Sequence, residues 1–219
     1  MTAYFVDVID RQRGIKWKKD LTALDPLIKS VTKHGQKLLI FNNFGYDHIY
    51  QNIEWKHTHK IVDPYFGRWA EYYQHLLDNP GIDNVFCVDA TDVEMLNNPF
   101  QHFKQGELYV GDEKKVVGIP WMFEKHKNGF LVKFIRGNKD RKLLNAGIIG
   151  GSSYDIREFS RRMNQLFILN DHDLGIGDLG AFNYVCYNEY ADKLITGEMI
   201  NTEFKKFDTE NKVAWWRHK

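Results

Sequence analysis

The sequence predicts an α/β fold: one domain in which helices cover a β-sheet. Three observations carry this. Strand-like and helix-like stretches alternate through the first ~90 residues. Val85-Phe86-Cys87-Val88 is apolar at every position, as a strand buried on both faces must be. No linker, repeat or low-complexity tract interrupts the 219 residues, and the five prolines only punctuate elements.

Taken in order, Tyr4 to Ile9 reads as a strand and Asp10-Arg11-Gln12-Arg13-Gly14 as a charged loop. Leu21, Leu24, Leu27, Ile28 and Val31 have helical spacing. Lys37 to Phe41 reads as the second strand, ended by Asn42-Asn43 and Gly45. The alternation from Trp55 to Val62 reads as a third, more exposed one. Asp63-Pro64 is an N-cap followed by proline in the first turn, and Tyr65, Trp69, Tyr72, Tyr73, Leu76 and Leu77 form one helical face ending at Asn79-Pro80-Gly81. In the second half, Leu108 to Asp112 and Gly129 to Phe134 read as strands. Leu143 to Ile149 leads into a loop, Gly150 to Ser153. Ser152 with Asp155 resembles a capping box before a helix whose buried stripe is Ile156, Phe159, Met163 and Leu166.

Composition narrows the function classes. Thirty basic against 29 acidic residues exclude binding through bulk charge, though not a local basic patch. With 43% hydrophobic and 15% aromatic residues the chain has material for a core and is not a disordered segment. Cys87 and Cys186 form no CxxC pair, so neither a disulfide scaffold nor a cysteine zinc site is expected. No apolar run spans a bilayer, and the first residues have no signal-peptide core. A cytoplasmic protein without a membrane partner is the expectation.

Several stretches bear on chemistry. In Val88-Asp89-Ala90-Thr91-Asp92 a buried strand ends and two carboxylates follow at once, where open α/β sheets bind ligands. They suit a hard divalent cation; Asp92 equally suits the cap of a turn through Glu94 and Met95. Asn145-Ala146-Gly147 precedes further glycines that let backbone approach a ligand, or simply make a tight turn. Gly175 to Gly180 matches GxGxxG, but too little chain follows for a dinucleotide-binding unit; Asp178, at a helix start, is the notable residue. Trp215-Trp216-Arg217-His218-Lys219 is either a docked aromatic tail or a metal-ligating histidine between phosphate-binding cations. His57 and His59 fit an ordinary exposed strand, and Cys87 lies where a thiolate is disfavoured. Neither GxSxG nor HExxH occurs.

In this order the motifs resemble a GT-A-fold glycosyltransferase. Val-Asp-Ala-Thr-Asp-Val-Glu-Met-Leu and Trp-Arg-His-Lys are similar to stretches of the glycosyltransferases associated with phage DNA hypermodification. The resemblance implies a single GT-A-like domain over 1–219 with a central mixed, mostly parallel sheet. About 1–110 would form a nucleotide-binding half and about 111–219 an acceptor half with a metal- and phosphate-binding tail. It implies transfer of a sugar from a nucleoside-diphosphate sugar, UDP-linked, to a hydroxyl acceptor such as a 5-hydroxymethylpyrimidine in DNA. Mn²⁺ or Mg²⁺ would be held by Asp89, Asp92 and His218, with the acidic pair one residue wider than the usual DxD. Asp178 would act on the acceptor or sugar; Asp10, Arg11, Arg68, Asp89, Asn145, Gly147, Arg217 and Lys219 would bind the donor. Two other readings stay open, a sugar-phosphate nucleotidyltransferase and a non-catalytic nucleic-acid-binding module. Arg136, Lys139, Arg141, Lys142, Arg161 and Arg162 would track the backbone of a DNA acceptor, or form a solvated charged surface.

Overall fold

The computed structural model describes residues 1–10, 13–58, 61, 63–170, 177–206, 208 and 211–219. The protein is mixed α/β. Its first half contains β1 (Thr2–Tyr4), the hairpin β2 (Ile9–Asp10) and β3 (Ile15–Lys16), α1 (Asp25–Lys33), β4 (Leu38–Asn42), β5 (His48–Tyr50), β6 (Ile53–His57), α2 (Pro64–Asp78), β7 (Asn84–Val88) and β8 (Val93–Met95). The second half contains β9 (Leu108–Val116), α3 (Pro120–Lys125), α4 (Gly129–Gly137), β10 (Lys142–Ser152), α5 (Ser153–Leu169), α6 (Asp178–Glu189), β11 (Leu194–Ile195) and β12 (Trp216–His218).

Two four-stranded sheets, ordered β5-β6-β4-β1 and β7-β10-β9-β11, abut between β1 and β7. Met1 donates to the Phe86 carbonyl and accepts from the Val88 amide at 3.0 Å, the pattern of parallel neighbours. The Thr2 hydroxyl adds a bond to the Val88 carbonyl at 2.7 Å. Across the joined sheet only β5 and β10 run against the rest. From β1 the chain moves outward through β4 and β6, then returns to the other side of β1 as β7. That reversal is a topological switch point, where loops beyond the strands' carboxyl ends part to leave a crevice.

Helices α2, α5 and α6 cover one face over a core that includes Trp69, Phe159, Met163 and Phe182. α1, with β8 and β12, covers the other over Ile40, Phe86, Val88, Trp215 and Trp216. The caps read from the sequence form. Asp63 accepts from the amides of Tyr65 (2.9 Å) and Phe66 (3.0 Å), and Ser152 Oγ accepts from the Asp155 amide at 3.1 Å while donating to the Asp155 carboxylate at 2.7 Å.

Some expected elements differ. Gly129 to Phe134 is helix, not strand. Asn128 caps it by accepting from the Phe130 amide at 3.1 Å, and Leu131, Phe134 and Ile135 are buried at helical spacing. Gly150, Gly151 and Ser152 belong to β10, because β7 pairs with them residue for residue. The first strand ends at Tyr4, and Asp7 turns through φ 58° before the hairpin. The segment after Asp92 is strand β8, so Asp92 caps no helix. The third strand stops at His57, and His59 lies outside the described residues. Among the described residues no helix is long and apolar enough to cross a membrane.

Candidate metal and nucleotide site

Asp89 is the first residue beyond β7, and its amide donates to the Gly147 carbonyl of β10 at 2.8 Å. Asp92 follows a tight turn. β12 pairs antiparallel with β8, His218 opposite Val93, and the Lys219 amide donates to the Asp92 carbonyl at 2.7 Å. This two-stranded clip brings a residue 126 positions distant in sequence to Asp92, with His218 Nε2 3.6 Å from Asp92 Oδ2. One ligand atom from each of Asp89, Asp92 and His218 lies within 4.8 Å of the others.

Three features fit a divalent cation here. The donor set, two carboxylates and an imidazole, suits Mn²⁺ or Mg²⁺. His218 is only 2% exposed and its Nδ1 has no hydrogen-bond partner. Gly147 leaves room: a Cβ there would sit 2.6 Å from His218 Cε1, 2.7 Å from Asp89 Oδ2 and 2.9 Å from Asn145 Oδ1. Between Leu144 and Ile149 the pairing of β10 with β9 slips, five steps on β10 facing two on β9. Within this bulge Asn145 Oδ1 accepts from the Gly147 amide at 2.6 Å. The bulge thus presents a side-chain amide and bare backbone to the cluster.

Arg68, on α2, bridges the cluster to α6. Its guanidinium donates to Asp89 Oδ1 and, at 2.9 Å, to Asp178 Oδ2, with side-chain exposures of 12% for Arg68 and 7% for Asp178. Burial by itself would lower the Arg68 pKa, but Asp89 and Asp178 outweigh it and the pKa is raised. Burial raises the Asp89 carboxyl above the usual range; Arg68 opposes this and Asp92 reinforces it. Asp89 keeps a third of its side chain (32%) open to the cavity, where solvent or a cation reaches it.

The cluster lies on the wall of a cavity of about 1000 Å³ that also includes Arg68, Asn145, Gly147 and Asp178. Arg13, Lys16, Lys18, Lys115, Lys125 and Lys205 also line it, together with Asp20 and Glu113; Lys16 pairs with Asp7 at 2.9 Å and Lys115 with Glu113 at 3.0 Å. Trp17 and Tyr65 also line the cavity, edge to face at 5.5 Å. Both bond Asp10 Oδ2, the indole at 3.2 Å and the phenol at 2.6 Å, and the Arg13 amide bonds Asp10 Oδ1 at 3.0 Å.

The fold therefore brings Asp89, Asp92, His218, Arg68, Asn145, Gly147 and Asp178 together at the cavity. Three expected donor ligands stand elsewhere, and Arg11 lies outside the described residues. Asp10 is fully buried beneath the aromatic pair, because its carboxylate serves as their anchor. Arg217 and Lys219 do not line the cavity; both pair with Glu94, Arg217 at 2.7 Å. Strand alternation turns residues 217 and 219 to the side opposite His218. The cationic surface is also largely paired: Lys142 with Asp112, Arg161 with Glu158, Arg162 with Glu189, and Arg141 over Tyr187. Cys87 is buried, its thiol pushed up to about 12 by desolvation, which leaves it unreactive.

Trp17 and Tyr65 escaped the sequence reading, since Tyr65 matched an ordinary apolar helix position and Trp17 fell between the charged loop and the first helix, in no assigned element. No protein-family model matches the chain, and no curated protein matches it either.

Proposed function

We propose that this chain is a metal-dependent glycosyltransferase of GT-A type that moves a sugar from a nucleoside-diphosphate sugar, UDP-linked, to a hydroxyl acceptor. One observation carries the reading: the convergence of Asp89, Asp92 and His218 at the switch point of an α/β sheet, on a cavity lined by both cations and carboxylates. A volume of about 1000 Å³ accommodates a nucleotide sugar. The resemblance in motif order supplies the reaction class.

Asp89, Asp92 and His218 would hold the cation, which when bound supplies charge to the departing diphosphate. The surrounding residues orient and neutralise. Gly147 permits close approach of a ligand, and Asn145 holds that backbone in place through its bond to the Gly147 amide. The cavity lysines offer charge-assisted bonds to phosphate oxygens. Trp17 and Tyr65 offer an aromatic wall to the base, braced by Asp10. Asp178, oriented by Arg68, takes the role of hydrogen-bond or proton acceptor for a sugar or acceptor hydroxyl. The acceptor that the resemblance offers is a 5-hydroxymethylpyrimidine in DNA; the paired surface cations add nothing to that choice.

A thermal-shift screen of nucleoside diphosphates and their sugars, with and without Mn²⁺, tests the reading. A nucleotide is expected to raise the melting temperature only with metal, and Asp92→Ala abolishes the shift. Binding that ignores metal, or survives Asp92→Ala, refutes the site. Pyrophosphate released from a nucleoside triphosphate and a sugar phosphate would favour a nucleotidyltransferase instead.

A further inference from the structure

His126 is a fully buried imidazole with no part in the site described above. It follows α3, and its ring is held by two specific bonds. Nδ1 lies 2.8 Å from the Met122 carbonyl, which can only accept, so Nδ1 carries the proton. Nε2 is then a bare acceptor, and it receives the Gly180 amide at 2.9 Å.

Gly180 lies in the first turn of α6, where amides lack intrahelical partners. A cap side chain at the preceding position normally satisfies such an amide. Here that position is Gly177, which has no side chain. A Cβ at Gly177 would stand 2.5 Å from His126 Nε2, and one at Gly180 would also strike the ring. Two of the three glycines that formally fit a dinucleotide fingerprint, Gly177 and Gly180, therefore make a seat for an imidazole. Between them sits Asp178, the first residue of α6, which Arg68 holds from the other side. Further along α6, Asn183 pairs with both the amide (2.9 Å) and the carbonyl (3.0 Å) of Leu144, next to the Asn145–Gly147 bulge. Trp121, whose ring meets His126 edge-on at 5.8 Å, lines the cavity as well.

We propose that His126 is a positioning residue: its Nε2 caps α6 from a neighbouring helix and so fixes Asp178 on the cavity wall. Burial, which holds the ring's pKa below its ordinary value, agrees with a neutral ring. A protonated ring would turn Nε2 into a donor facing the Gly180 amide and undo the cap. The functional half of this inference rests on the role proposed for Asp178; the structural half does not.

The test uses the full chain and two variants. His126→Phe keeps a ring but removes both bonds, and His126→Gln returns an acceptor of similar reach. Long-range ¹H–¹⁵N correlation of the unliganded wild type is expected to show the proton on Nδ1. Hydrogen exchange at the Gly180 amide is expected to speed up roughly tenfold in His126→Phe and to recover in His126→Gln. With Mn²⁺ and UDP-glucose as probes, turnover falls roughly tenfold in His126→Phe while Mn²⁺·UDP affinity holds, because the ring touches none of the three cation ligands. A proton on Nε2, or unchanged Gly180 exchange in His126→Phe, overturns the cap. Equal loss of turnover and affinity in both variants overturns the positioning role in favour of general damage. If His126→Phe fails to fold, the wild-type tautomer and the Gly180 exchange of His126→Gln still decide. Failure of wild-type protein to bind Mn²⁺·UDP would refute the glycosyltransferase reading and leave the tautomer and exchange results standing.

Discussion

Replacing Arg68 by methionine would remove a cation that touches both Asp89 and Asp178 while keeping most of the side-chain volume. Stripping a buried ion pair of one partner costs about 3–5 kcal/mol, because the remaining charge stays desolvated. Asp178 is nearly closed to solvent and bears the larger share; Asp89, 32% open, bears less. A loss of about 3–4 kcal/mol follows, roughly 6–16 °C in melting temperature for a domain of this size. The same change removes a positive charge beside the cation cluster, so Mn²⁺ should bind the variant more tightly than wild type. Saturation at a hundred times Kd stabilises a protein by about 2.7 kcal/mol, and the tighter site gains more at any fixed Mn²⁺ concentration. Differential scanning fluorimetry across a Mn²⁺ titration measures both. A melting temperature within 2 °C of wild type, or an equal Mn²⁺ shift in the two proteins, would refute the assignment of Arg68 as counter-charge to a cation site; the 2 °C limit is about 0.5–1 kcal/mol.

Gly147→Ala should cost about 1–3 kcal/mol and remove the Mn²⁺-dependent shift, since its methyl would press on His218, Asp89 and Asn145; calorimetry with Mn²⁺ checks this. Asn128→Ala should destabilise by about 1 kcal/mol in urea unfolding, as loss of the α4 cap; no effect would argue against the helix there. His75, its pKa lowered to about 4 by burial and by Lys56, should make stability fall with acid. The unfolded chain takes up its proton near pH 6.5 and the folded one only near pH 4, so the loss develops between those values and stops below them. Its ceiling is about 3 kcal/mol, reduced to about 1–2 by solvent near the ring, and His75→Phe should flatten that stretch of the curve.

How much of this was legible in the sequence follows from the range over which each signal acts. Asp63-Pro64 and the Ser152–Asp155 pair were readable because a cap bonds amides two or three residues away. The buried run Val85 to Val88 announced its strand, and the acids after it marked the carboxyl end where a site belongs. Gly129 to Phe134 misled because six mostly apolar residues fit either period; burial of Leu131, Phe134 and Ile135 on one side decided for helix. Arg217 and Lys219 misled because side-chain direction depends on the pairing of β12 with β8, which no local pattern encodes.

The chain by itself determined the α/β class, the caps, and the candidacy of Asp89, Asp92, Asp178 and His218, all consequences of local hydrogen bonding and residue chemistry. Only the tertiary structure decided that β7 lies beside β1, that His218 reaches Asp92, that Arg68 spans two carboxylates, and that Asp10 supports an aromatic wall. Those are contacts between residues up to 126 positions apart. They arise when burial of the two apolar faces forces distant strands and helices into register, and local sequence carries no record of that register.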